Sequence, residues 1–329
     1  MRNEATSYLN YYGINRLFQH AGYYETAQLK SLLERMKVAI KHGGLIALSG
    51  MIGSGKTVTL RRLREDLKRE KEVIICRSMS VQKDRVGVDS LMTAMYYDLT
   101  GSKDLSVPKY SKERWVRELQ DLISQKNKPV ALFIDEAHDL TRSTLKALKR
   151  LLEAVQDDGG TMSVVLAGHP RLRNELKHPS MEEINYRTAY FELDGAIHSR
   201  REYILWLLDV CSASDVTPSQ IVEEAGIDIL AEKLITPLQI NQHLTMALEA
   251  GRSADEQPVS ASMVQSIISP SVADWESTLA RLGYDDKSIA SLLDTKAGEV
   301  RALFKGRLEA SKASQLLSQL KQAVGISTN

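Results

Sequence analysis

Gly50-Met51-Ile52-Gly53-Ser54-Gly55-Lys56-Thr57 stands between the apolar run Leu45-Ile46-Ala47-Leu48 and the helical stretch Val58 to Arg69. Strand, glycine-rich loop and helix in that order define a phosphate-binding loop, and the loop decides the fold, because it needs a parallel strand behind it and a helix in front. The glycines let backbone N–H groups turn inward around phosphate oxygens, and the helix adds the positive end of its dipole. Lys56 is expected to reach the β- and γ-phosphates and Thr57 to hold Mg²⁺. The expected nucleotide contacts are Gly50, Met51, Ile52, Gly53, Ser54, Gly55, Lys56, Thr57 and Val58.

A second motif lies downstream. Val130-Ala131-Leu132-Phe133-Ile134 is an apolar run suited to a strand buried on both faces, and it ends in Asp135-Glu136. Asp135 fits the metal shell beside Thr57. Glu136 fits the base that polarises the water attacking the γ-phosphate. The alternative is that the pair caps a helix running on from Ala137 through Leu140, Leu145, Leu148 and Leu152.

The chain has 329 residues, enough for two domains with cores of their own. Lys and Arg total 43 against 42 Asp and Glu, for a formal charge of +1, so any surface for a polyanion has to be local. Cys76 and Cys211 lie far apart in apolar runs and match no metal spacing, which predicts buried reduced thiols and suits the cytoplasm. No apolar run approaches the ~18 residues of a membrane span, and Met1-Arg2-Asn3-Glu4 leads into no signal-like stretch. The reading is a protein without a membrane segment.

Short apolar runs alternate with helical periods, which predicts an α/β core with a five-stranded parallel sheet. The expected strands are 45–48, 73–77, 130–134, 163–167 and 189–193. From about Ser199 the pattern is purely helical and predicts a lid over 199–269. Ser269-Pro270-Ser271 marks a further break. The expected organisation is an N-terminal segment over 1–44, the nucleotide-binding core over 45–198, the lid, and a helical block over 270–329.

Taken together, the phosphate loop, Asp135-Glu136, five strands and helical lid resemble an AAA+ ATPase. Tyr11-Tyr12-Gly13-Ile14, Tyr24-Glu25-Thr26, Ile134-Asp135-Glu136-Ala137-His138 and Val164 to Leu172 resemble the ExeA-like branch, which includes the transposon target-selecting ATPases TnsC and TniB, with the phage Mu B protein more distant. The resemblance implies ATP and Mg²⁺ as cofactors. It also implies a polar sensor at His169, after the fourth strand, and an arginine supplied by a neighbouring subunit. Arg187, before the last strand, occupies the matching stretch, with Arg171 and Arg173 as alternatives. His169 can also be read as a strand-end turn residue before Pro170, and His138 as an orienting residue. At the lid, where relatives carry an arginine that touches the γ-phosphate, this chain reads Ile235-Thr236-Pro237-Leu238-Gln239. Gln239 contacting nucleotide, or Arg200 or Arg201 substituting, are the expectations there.

The implied function is an ATP-dependent regulator of transposition that forms a ring or helical filament on double-stranded DNA and recruits a transposase and target-selection proteins. The DNA contacts expected within the core are Lys83, Arg85, Lys112, Arg114 and Arg117, against the reading of solvated charge on an exposed helix. The C-terminal block has helix-turn-helix spacing, with Arg301, Lys305 and Arg307 on its last helix, and reads as a DNA contact, a protein-docking module or a packing appendage. A protein-remodelling or signalling ATPase and an Orc/Cdc6-like replication initiator are the competing functions.

Overall fold

The computed structural model describes residues 7–77, 87–101, 112–193, 197, 199–268, 286–293, 295–304, 308, 312–313, 315–316 and 319–320. In chain order, α1 (Ser7–Tyr11) and α2 (Ala27–His42) lead into β1 (Gly44–Ser49). There follow α3 (Lys56–Glu70), β2 (Ile74–Arg77), α4 (Val88–Thr100), α5 (Lys112–Ser124), β3 (Val130–Ile134), α6 (Arg142–Asp157) and β4 (Met162–Gly168). After α7 (Arg171–Leu176), α8 (Glu182–Tyr186) and β5 (Thr188–Glu192) the chain is helical: α9 (Arg200–Cys211), α10 (Pro218–Ile221), α11 (Glu224–Lys233), α12 (Pro237–Ser253) and α13 (Ala261–Ile268). Among the described residues of the C-terminal block lie α14 (Asp286–Leu292) and α15 (Ala297–Phe304).

The five strands form one parallel sheet in the order β2-β3-β4-β1-β5. Their continuous apolar runs follow from burial on both faces. Leu45, Ala47, Leu132, Ile134, Val164 and Leu166 meet α4, α5 and α6 on one side. Ile46, Leu48, Ala131, Phe133, Val165 and Ala167 meet α2 and α3 on the other. The period-2 alternation of side chains divides each strand between the two layers. Ser163, the polar residue in β4, is fully buried and satisfied, its hydroxyl donating to the Ile40 carbonyl at 2.7 Å.

A separate apolar cluster holds the helical lid. Tyr203, Ile204, Leu207 and Leu208 of α9 pack with Ile227 and Leu230 of α11 and with Ile240, Leu244 and Leu248 of α12. The N-terminal segment divides between these layers. Tyr8, Tyr12, Ile14 and Phe18 join the lid cluster, whereas Leu29, Leu33, Met36 and Ile40 of α2 join the sheet. Gly251 of α12 makes room for this: a Cβ there would come within 2.5 Å of the Tyr12 hydroxyl. That hydroxyl donates to the Glu256 carbonyl at 2.7 Å, so the segment expected as one unit is tied to the lid at its start and to the core at its end.

Cys76 and Cys211 are buried free thiols, as expected, and burial pushes them up to about 12 and about 11. Among the described residues no helix is long and apolar enough to cross a membrane.

Candidate nucleotide site

The site is built at the carboxyl ends of β1, β3 and β4, where an open parallel sheet presents its ligand crevice. β1 runs into the glycine-rich loop, and α3 begins at Lys56 with Gly55 in the left-handed conformation before it (φ 98°, ψ 15°). Lys56 is buried, and its Nζ donates to the Gly50 and Met51 carbonyls at 2.9 Å each. The ammonium thus lies folded into the loop whose phosphates it is expected to meet.

β3 delivers the carboxylates. The Thr57 hydroxyl donates to Asp135 Oδ2 at 2.7 Å, so the two expected metal ligands already touch. Two hard oxygen donors fit Mg²⁺, which fills the rest of its octahedron with waters and phosphate oxygens rather than with an all-protein cage. Accordingly, among the described residues no group of three or more His, Cys, Asp or Glu assembles a metal site.

Glu136 takes left-handed backbone angles (φ 51°, ψ 38°), an uncommon conformation for a residue with a Cβ. Its N–H is held by Asp135 Oδ1 at 3.0 Å, and its side chain is exposed. The helix-capping alternative does not hold. Ala137–Asp139 is a single 3-10 turn, Leu140 returns to an extended conformation, and Thr141 caps α6 by accepting from the Thr144 N–H. Freed from capping, Glu136 faces the cavity. His138 Nδ1 lies 3.3 Å from Glu136 Oε2, and the His138 and His169 ring centres are 6.3 Å apart.

A cavity of about 360 Å³ joins these parts. Its walls include Gly53 to Thr59, Glu136, His138 and His169 from the core, and Leu238 and Asn241 from the lid. Three aromatic rings close one end, and the sequence reading did not identify them as a site: Tyr24, Tyr203 and Trp206, with ring centres 4.9 to 5.7 Å apart. Tyr203 is deeply buried, which pushes its phenol up to about 12, and its hydroxyl faces Asn241 Oδ1 at 3.5 Å. The available signal was spacing: Tyr203 and Trp206 stand one turn apart on α9, and two adjacent tyrosines precede α2.

At the lid, Gln239 has a different role from the one expected. It is the third residue of α12, and its Oε1 accepts from the Ile235 and Thr236 N–H groups at 3.0 and 3.1 Å, completing a capping box with Thr236. With its side chain turned onto the helix cap, Gln239 is not among the residues lining the cavity. Leu238 comes closer. Its N–H donates to the Gly53 carbonyl at 3.3 Å, and a Cβ on Gly53 would stand 2.5 Å from Leu238 Cβ. Neither lid arginine takes the vacated role: Arg200 Nε donates to the Ala231 carbonyl at 2.7 Å, and Arg201 pairs with Asp228 at 2.7 Å.

The remaining expected residues are dispersed. Arg187 precedes β5, and β1 beside it spans roughly 17 Å before the loop begins. It therefore sits at the far end of the sheet from its own nucleotide cavity, bonded to Glu153 at 2.8 Å. Arg173 bonds to Glu192 beside the Tyr190 ring, and the side chain of Arg171 lies outside the described residues. Arg114 and Arg117 are exposed on α5, while Lys83, Arg85 and the side chain of Lys112 lie outside the described residues. In the C-terminal block Arg301 pairs with Asp286 at 3.1 Å; Lys305 and Arg307 lie outside the described residues.

Residues 14–176 match the family model described as AAA domain. General secretion pathway protein A of Aeromonas hydrophila is 28% identical over 190 residues, 54% of this chain and 32% of that protein. The chain thus spans about a third of the length of this curated relative. Among solved structures, Cdc6p from Pyrobaculum aerophilum superposes with a TM-score of 0.51 at 15% identity, covering 91% of this chain and 87% of that one. Drosophila ORC bound to DNA gives 0.52 at 15% identity, over 93% and 82%. The Aeropyrum pernix ORC1 protein in complex with DNA gives 0.51 at 16% identity, over 98% and 88%. At such identities the structures establish a shared fold. Residues 14–176 thus match the AAA domain, a family of ATPases that take ATP with Mg²⁺, and the chain is similar in sequence to the secretion protein and in fold to Orc/Cdc6 proteins.

Proposed function

We propose that the chain is an ATP-gated regulator of DNA transposition. In this reading it assembles head to tail on duplex DNA, recruits a transposase and target-selection proteins, and disassembles when ATP is hydrolysed. The observation that carries the assembly step is the charge of the cavity. Lys56 is the single lysine or arginine among the described residues that line it. Phosphoryl transfer concentrates negative charge on the γ-phosphate oxygens and calls for a further cation. Arg187, exposed and remote from its own loop, is suited to serve a neighbour's site.

The apolar surface supports the same geometry. Ile52 (71% exposed) and Leu238 (53%) line the cavity, with Ile235 (57%) exposed just before α12, while Tyr186, 81% exposed, adjoins Arg187 at the other end of the sheet. An apolar rim on one face and an aromatic anchor on the opposite one fit a heterologous contact, which closes into a ring or winds into a filament. Within such an assembly Arg114 and Arg117, with Lys83, Arg85 and Lys112, repeat once per subunit. A weak basic spot then becomes a continuous track for phosphates despite near-zero net charge.

Two observations favour other readings. The superpositions on Cdc6p and on the ORC1 protein cover 91% and 98% of the chain, which favours a replication initiator. Similarity to a secretion-pathway protein favours an ATPase acting on proteins. The deciding experiment is a DNA mobility shift with ATP, ADP and no nucleotide, on random and origin-like duplexes, with purified transposase added. ATP-dependent, sequence-indifferent binding that captures transposase is expected. Origin-selective binding would favour the initiator, and absence of DNA binding with full ATPase activity would favour the protein-directed enzyme.

A further inference from the structure

Four charged side chains gather at the end of the sheet away from the nucleotide cavity. Arg187 Nη1 lies 2.8 Å from Glu153 Oε1, and that same oxygen receives Lys149 Nζ at 2.9 Å. Lys149 also reaches Glu183 at 2.6 Å, and its amine is raised by the Glu183 carboxylate first and Glu153 second. The Arg187 side chain is 62% exposed and the Lys149 side chain 19% exposed. Lys149, Glu153 and Arg187 line a cavity that opens beside Gly43 and Gly44.

We propose that Glu153 is a clamp on Arg187: it holds the guanidinium against its own subunit until a neighbour's ATP takes it. The inference rests on Arg187 being the residue that completes the neighbouring site. Three features of the cluster support it. A half-exposed guanidinium–carboxylate pair is weak and screened by salt, so a more highly charged triphosphate displaces it readily. Departure of Arg187 does not strand Glu153, because Lys149 remains on the same carboxylate oxygen. The clamp also rides on α6, a 16-residue helix that begins at Arg142, after the 3-10 turn and the Thr141 cap that follow Asp135-Glu136, and carries Glu153 in its last turns. Glu153 is thus a positioning residue, acting through Arg187 and touching no nucleotide of its own subunit.

A clamp sets how readily the neighbour's site is completed and leaves its chemistry alone. In Glu153→Gln, which keeps the shape and loses the charge, ATPase activity per subunit should reach half-maximum at a several-fold lower protein concentration, with an unchanged plateau. Raising the salt concentration should shrink the difference between variant and wild type, since salt already loosens the wild-type pair. Glu153→Asp keeps the charge one methylene short of Arg187 and should shift the midpoint in the same direction by less, which guards against a folding artefact in the first variant. Arg187→Ala and the double variant Glu153→Gln/Arg187→Ala should be equally inactive. If Arg187→Ala is inactive but the Glu153→Gln midpoint is unmoved, moves upward or is insensitive to salt, the clamp is refuted while the role of Arg187 stands. If Arg187→Ala hydrolyses ATP as wild type does, the reading of Arg187 falls and the clamp falls with it.

Discussion

The two ends of the sheet are built in different ways. At the carboxyl end the candidate site is locked by short-range bonds: a left-handed Gly55, a buried Lys56 bonded to loop carbonyls, and an Asp135 fixed by Thr57. At the amino end Arg187, Glu153, Lys149 and Glu183 form a cluster of ion pairs, with Arg187 and Glu183 exposed and Lys149 largely covered. A site whose groups are already bonded to one another is preorganised to hold its ligand. A cluster of exposed charges can change partners. The contrast is what the proposed division of labour requires: a pocket that holds its ligand, and an arginine free to serve another copy.

The largest expected effect breaks the preorganised end. Lys56→Ala should abolish nucleotide binding, because no other Lys or Arg among the described residues lines the cavity, and titration with a fluorescent ATP analogue reads it. Retained affinity would remove the loop from the account.

Next comes the exposed end. Arg187→Ala should lower hydrolysis by about 10³–10⁵, the range for removing an arginine that stabilises phosphoryl transfer, while ATP affinity of the isolated subunit stays unchanged. A loss of affinity instead would mean that Arg187 supports its own fold. Glu136→Gln should cut turnover by about 10²–10⁴, the contribution typical of a positioned base, with ATP still bound. ATP-dependent DNA complexes of this variant should outlast those of wild type. Equal lifetimes would separate hydrolysis from disassembly.

The smallest effect lies in the aromatic wall. If Tyr24, Tyr203 and Trp206 receive the base, Trp206→Ala should weaken ATP binding by about 1–3 kcal/mol, the range for one base stacked on an aromatic ring. Inorganic triphosphate should bind both proteins alike. Equal weakening for both ligands would make the wall a structural element only.

The sequence made the carboxyl end legible because its chemistry is carried by contiguous residues: the loop over 50–57 and Asp135-Glu136 each sit inside one strand-to-helix unit. Strand positions were legible for a related reason, since burial on both faces leaves uninterrupted apolar runs such as Val130 to Ile134. What spacing could not give was contact between distant segments. Tyr24 meets Trp206 only once the N-terminal segment docks on the lid. Gln239 looked like a nucleotide contact by its place in the lid, but a capping box fixes the orientation of its side chain. Glu153 was one more charge on an amphipathic helix until α8 carried Arg187 to it.

The central claim is that each site is completed by a neighbour, and mixing two inactive variants tests it most directly. Arg187→Ala keeps an intact loop and base, while Glu136→Gln keeps Arg187. In a random equimolar assembly roughly a quarter of the head-to-tail interfaces then join a working base to a working arginine. ATPase activity should reappear on mixing, to roughly that fraction of wild type. If the two proteins co-assemble, as followed by size-exclusion chromatography with light scattering, and the mixture stays as inactive as its components, Arg187 does not act across the interface.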